Sequence, residues 1–345
     1  HGTGKNIGGY MKKKYYKEFL PTKKLLTKKQ RVICLTKRIL ITLIILLCVL
    51  ISAPFIGLHL YFNRHVNYKG YETTDYPLQG IYEASDYGIN EKQMYLTTED
   101  DYEIWCSEIG VENPKGVIIY LTGILQPSIT YFYGHASWME KNGYASILLE
   151  VRGHGKSEGN KICLGYEEYK DVQAVVDYIK HNEEYKDIPI IIQGVSMGGA
   201  IAINSFGQIP DIGVLIAMSP YSSFEDEVVE LMNLYYIPKW LQVFEMPFIK
   251  QALIFQYGRE NVENMTPEKQ IQNDEERSIL LVACTGDVQV PFANTLRLQK
   301  ANPEADVWIK DSWEHFIVNG CDFRNVIDDT EYCDRILKFI EESIN

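Results

Sequence analysis

Residues 187–206, DIPIIIQGVSMGGAIAINSF, constrain the fold more than any other stretch of the chain. A continuous β-branched run breaks at Gly194-Val195-Ser196-Met197-Gly198-Gly199 and then resumes as a small-residue helical pattern. An unbroken apolar run at 188–192 suits a strand buried on both faces, the setting of a parallel sheet. A strand that turns sharply into a helix leaves no room for Cβ atoms at the turn, so Gly194 and Gly198 fit a nucleophile elbow that lifts Ser196 Oγ clear of the sheet. A serine so placed needs a base to take its proton and a carboxylate to hold that base.

The rest of the chain repeats the strand-then-helix rhythm. Short apolar runs at 103–109, 116–121, 145–150, 214–218, 279–283 and 306–309 alternate with helical spacing at 132–142, 166–182, 198–209, 291–300 and 328–344. Such alternation predicts βαβ units and a mainly parallel central sheet with flanking helices. One stretch breaks it: 221–272 holds two aromatic- and Met-rich helical pieces, 228–236 and 240–255, punctuated by Pro238, Pro247 and Pro267. It reads as an inserted helical cap between the core segments 94–220 and 273–345. Its large apolar side chains serve either to line an acyl pocket or to build the cap's own core.

Downstream of the elbow, the strand at 279–283 leads into Gly286-Asp287-Val288-Gln289-Val290-Pro291, and that at 307–309 into Asp311-Ser312-Trp313-Glu314-His315-Phe316. Ser196, Asp287 and His315 therefore stand in the chain order Ser, Asp, His, each just past a strand. The carboxyl ends of parallel strands share one edge of the sheet, where the three can converge. Asp311 and Glu314 compete with Asp287 as the acid; Glu314 immediately precedes the histidine and is expected to point away, which favours Asp287. His135, His154 and His181 precede the serine and break the order.

Over roughly residues 90–345 these features resemble the α/β-hydrolase family. Arg152-Gly153-His154-Gly155-Lys156-Ser157-Glu158-Gly159 is similar to the R-G-H-G-x-S-x-G loop of its monoglyceride lipase, lysophospholipase and serine aminopeptidase-like branch, and 287–291 resembles its D-x-x-V-P acid loop. The resemblance implies a serine hydrolase with a cap, needing no metal or cofactor, and a main-chain oxyanion hole with donors at Ile124 and Met197. It departs at Leu121-Thr122-Gly123-Ile124, where Thr122 stands in place of the family's usual histidine; main-chain donors survive a side-chain change, though the hole's shape is altered. His154, in its glycine-rich loop, is expected to shape the crossover near the site.

The N-terminal region is a different material. Residues 1–38 carry twelve Lys or Arg against Glu18 alone, a net +11, whereas the remainder is at −23. A body that acidic argues against nucleic acid as a partner, since phosphate binding needs clustered cations. Residues 39–62, ILITLIILLCVLISAPFIGLHLYF, have no formal charge and are long enough to cross a hydrocarbon core of ~30 Å. The segment reads as an uncleaved signal anchor of a single-pass cell-membrane protein, and His59 as an interface residue near its end. The basic arm on its N-terminal side predicts a cytoplasmic N-terminus and an extracytoplasmic catalytic domain. Residues 1–10 read as a leader ahead of a natural start at Met11, and 63–93 as a Tyr-rich linker leading into a first hairpin.

Neither Gly4-Lys5-Asn6 nor Gly155-Lys156-Ser157 completes a phosphate loop. The seven cysteines form no zinc pattern; Cys321 and Cys333 would pair only in an exported domain with suitable geometry, and five separate small hydrophobes is the simpler reading. The expected function is a membrane-anchored serine hydrolase of lipid-like acyl esters. The alternatives are a peptidase or acyltransferase with the same machinery, or a catalytically silent binding protein, which the Thr122 departure permits.

Overall fold

In a computed structural model, residues 27–67, 77–272 and 277–344 are described. The leader at 1–10, the start at Met11 and most of the basic arm lie outside them. The chain divides after Ile51, into 1–51 and 52–345.

Helix α1 spans Lys28–Phe62 and is the one described helix long and apolar enough to cross a membrane. It begins eleven residues before the apolar run predicted at 39–62. Thr27 explains the earlier start: Thr27 Oγ1 accepts from Gln30 N (3.3 Å) while Gln30 Oε1 accepts from Thr27 N (2.9 Å), a reciprocal cap. The cationic residues that follow are good helix formers, so charge does not end the helix.

Eight strands form one sheet in the order β1-β2-β4-β3-β5-β6-β7-β8: β1 Lys92–Thr97, β2 Glu103–Ile109, β3 Val117–Leu121, β4 Ala145–Leu149, β5 Ile190–Val195, β6 Ile212–Met218, β7 Ser278–Cys284 and β8 Asp306–Lys310. β1 pairs antiparallel with β2, and β2 with β4; every other pairing is parallel. Alternate residues feed opposite faces. Val117, Ile119 and Leu121 of β3 join one core cluster, and Ile118 and Tyr120 join the other. Helices α3 (Tyr169–His181) and α4 (Met197–Gln208) cover the first face; α2 (Tyr133–Lys141) and α10 (Thr330–Ile344) cover the second. This is the mainly parallel α/β architecture expected.

Strand β5 runs to Val195, further than the β-branched run, because Gly194 still pairs with Leu121 of β3 and Ala217 of β6. The stretch expected to be a linker, 63–93, is packed where it is described: Leu78, Ala84 and Ile89 are buried in the core cluster of the second face. Between β6 and β7 lie α5 (Phe224–Leu234), α6 (Lys239–Tyr257), α7 (Arg259–Asn264) and α8 (Pro267–Gln270). Helix α9 (Ala293–Ala301) joins β7 to β8.

Candidate active site

Ser196 sits between β5 and α4 at φ 58°, ψ −122°, a left-handed backbone that a side-chain-bearing residue adopts only under constraint. Two hydrogen bonds impose it: Ser196 N donates to Met218 O (2.8 Å) and Ala200 N donates to Ser196 O (3.1 Å). The glycines are required on both sides. A Cβ at Gly194 would collide with the carbonyl of Gly198, and one at Gly198 with the carbonyls of Leu121 and Thr122. The serine is thereby held at the edge of the sheet, at the amino end of α4, where free N–H groups point outward.

Asp287 and His315 follow β7 and β8 to the same edge. His315 Nδ1 lies 2.7 Å from Asp287 Oδ2, and Asp287 Oδ1 accepts from Gln289 N (2.9 Å) and Val290 N (3.0 Å). The carboxylate is buried, 4% exposed, with every contact from a donor, so its orientation is set before any substrate arrives. The competing acids are engaged elsewhere. Glu314 holds Ser312 Oγ and Gly320 N, and Asp311 accepts from Thr285 Oγ1 (3.0 Å).

Ser196, Met197, Ile124 and His315 line one cavity of about 820 Å³, within the range of small-molecule sites. Its remaining wall includes Val228, Leu231 and Met232 of α5 and Leu241 and Ile249 of α6. Among the described residues the side chains of Ser196 and His315 share no hydrogen bond; the bond of the His315 ring runs to Asp287.

The loop expected to carry the oxyanion donor is held from below. His154 Nε2 lies 2.9 Å from Ile124 O and its Nδ1 3.2 Å from Arg152 O; burial pushes the imidazole's pKa down, which favours the neutral ring. Arg152 is itself fixed, donating to Asp171 (2.8 Å) and Asp100 (2.8 Å). Thr122, where a histidine was expected from the resemblance, is buried with its Oγ1 2.7 Å from Tyr131 OH.

Two residues that sequence reasoning missed belong to this site. Ser219 Oγ donates to His315 O (2.6 Å), bracing the histidine loop from the end of β6; its position just past a strand, at the sheet edge that also holds Ser196, was the available signal. Glu227, on α5, lines the cavity although 8% exposed, and its Oε2 has no hydrogen-bond partner among the described residues. Burial, and then the negative charge of Asp287, raise its pKa to about 8. The helical spacing of α5 was the available signal, since Glu227 falls three residues after Phe224 and four before Leu231, on the stripe with Val228. Glu245 lines the same cavity, its pKa also raised by burial. Among the described residues no disulfide forms, so Cys321 and Cys333 are not bridged to each other. Among the described residues no three His, Cys, Asp or Glu side chains are gathered to hold a metal ion.

Residues 112–280 match the family model described as serine aminopeptidase, S33. The uncharacterized protein YqkD of Bacillus subtilis (strain 168) is 27% identical over 180 residues, covering 50% of this chain and 56% of that protein. The caffeoylshikimate esterase of Arabidopsis thaliana is 26% identical over 141 residues, 35% of this chain and 41% of that enzyme. The chain thus matches little more than half the length of the first relative and less than half of the second. Among solved structures, an esterase of Pyrococcus furiosus superposes with a TM-score of 0.60 at 23% identity, over 77% of this chain and 96% of that one, a likeness of fold.

Proposed function

Since the chain belongs to the α/β-hydrolase family, we propose that it is a membrane-anchored serine hydrolase that cleaves carboxylic esters with lipid-like acyl chains. One observation carries the reading: a serine on a strained elbow and a histidine locked to a buried aspartate open on the same cavity, and apolar side chains make up most of its wall. His315 takes the Ser196 proton as Oγ attacks the ester carbonyl, and Asp287 steadies the imidazolium. The N–H groups of Ile124 and Met197 receive the oxyanion. His315 then protonates the departing alcohol, and water, activated by the same base, releases the acid from Ser196. Helices α5 to α8 act as the cap. Helix α1 anchors the chain, and its cationic N-terminal flank directs the catalytic domain to the extracytoplasmic side.

A second reading, cleavage of an N-terminal aminoacyl bond, is favoured by Glu227 and Glu245. Held neutral, Glu227 tolerates an acyl chain; deprotonated against an ammonium group, it would select a free amine. The silent-binder reading would gain from Asp287 and His315 lying out of reach with Ser196 blocked; their 2.7 Å contact, with Ser196 lining the cavity, does not favour it.

The test is turnover of p-nitrophenyl esters beside aminoacyl p-nitroanilides, by the intact chain and by Ser196→Ala. Ester turnover that disappears in the variant supports the proposal. Undiminished turnover in Ser196→Ala refutes it, and preference for the anilides moves the assignment to the second reading.

A further inference from the structure

The cavity has a wall that the catalytic fold does not supply. Ala53, Pro54, Gly57, Leu58, Tyr61 and Phe62, the last turns of α1, line it together with Ser196 and His315. These positions recur at intervals of three and four and so share one helix face, while Ile56 and Leu60 on the other face are exposed. From 53 to 62 the helix rises ~13 Å, so the cavity follows it for more than two turns.

This placement is locked rather than incidental. Phe62 is buried with its ring edge-on to Phe224 of α5 at 5.4 Å, and Phe62 O accepts from Ile162 N (2.8 Å). Just beyond, Val66 N donates to Gly153 O and Gly155 N donates to Val66 O, both at 2.8 Å, a short parallel bridge. The ring nitrogens of His65 lie 2.7 Å from Gly159 O and 2.9 Å from Gly155 O. The Arg152–Gly159 loop therefore grips the end of the helix with its backbone while His154, in the same loop, holds the carbonyl of Ile124. A device that served only to tether would need none of these contacts.

We propose that the last turns of α1 are the acyl-binding wall of the active site: the substrate is a long-chain carboxylic ester whose tail lies along the helix, and the anchor selects the acyl group. This deepens the ester-hydrolase reading and rests on it. The tail meets Pro54, Gly57 and Leu58 on one side and the apolar side chains of α5 on the other, a site that gains from each additional buried methylene.

The test uses the full chain in detergent micelles. No atom lies within 4 Å of a Cβ built at Gly57, so the first side-chain atom of Gly57→Phe is accommodated, and losing a helix-interior glycine favours the helix. The readout is the ratio of kcat/KM for p-nitrophenyl laurate to that for p-nitrophenyl acetate. In Gly57→Phe this ratio is expected to fall by at least roughly tenfold, because the new ring occupies space the longer chain needs. Ile56→Phe, on the exposed face, keeps the wild-type ratio. A wild-type ratio in Gly57→Phe, with ester turnover intact, overturns this proposal and leaves the ester reading standing. If the wild-type chain turns over neither ester and takes no fluorophosphonate, it is the ester reading that fails, and the acyl wall with it.

Discussion

Asp287→Asn isolates the charge and hydrogen-bond logic of the site with almost no change of shape. In the native chain Asp287 Oδ1 accepts two backbone N–H groups, at 2.9 and 3.0 Å, and Oδ2 faces His315 Nδ1 at 2.7 Å. An asparagine must present its single oxygen to the two fixed N–H donors, because the opposite flip would aim its NH2 at them. Its NH2 then faces Nδ1, which becomes an acceptor, and the imidazole proton moves to Nε2. A histidine protonated at Nε2 cannot take the Ser196 proton. The same substitution in a serine triad on another fold drops kcat about 10⁴-fold, or about 5 kcal/mol of barrier at 1.36 kcal/mol per decade. The assay is kcat on a soluble p-nitrophenyl ester, with circular dichroism to show that the fold is kept. Glu314→Gln, which alters an acid engaged with Ser312 and Gly320, serves as the control and is expected to stay within a few fold. Loss of less than tenfold in Asp287→Asn, or an equal loss in Glu314→Gln, would refute the assignment of Asp287 as the orienting acid.

Three further outcomes are expected. His154→Phe removes the donor that holds Ile124 O, so kcat should fall by roughly the 10²–10³ typical of one oxyanion donor, with KM little changed; an unchanged kcat would show that the loop holds itself. Gly198→Ala drives a methyl group into the carbonyls of Leu121 and Thr122 and should abolish either soluble expression or activity, whereas normal kcat and melting temperature would contradict the packing. Glu227 carries a pKa raised from 4.5 to about 8, so between those values the unfolded chain has released a proton that the folded chain retains. Stability contributed by this group is full below pH 4.5 and is lost on rising through pH 8, at up to ~1.4 kcal/mol per unit. Glu227→Gln should therefore raise the melting temperature at pH 9 and have its smallest effect near pH 5; a melting-temperature difference independent of pH would contradict the buried acid.

The elbow was legible because its constraint is local: three small residues around Ser196 answer to steric limits that act within one turn. Asp287 and His315 were legible for a different reason, since each follows an apolar run and parallel strands deliver their carboxyl ends to one edge. What escaped was carried by backbone groups or by tertiary burial. The bridge from Val66 to the Gly153–Gly155 segment uses main-chain atoms alone, so no side-chain pattern announces it. The helical reach of α1 back to Lys28 was hidden by its charges, which mark solvent or membrane surface but do not oppose helix formation. Glu227 looked like one acid among three on an acidic first turn, and the packing of α5 over the cavity is what buries it.

The central claim is that Ser196 is the nucleophile that forms an acyl-enzyme. Treating intact cells that express the chain with a membrane-impermeant fluorophosphonate, then mapping the adduct by peptide mass spectrometry, tests it most directly. The account predicts a single adduct on Ser196, absent from Ser196→Ala and strongly reduced in His315→Ala. An adduct on another residue, or none even after detergent lysis, would contradict it.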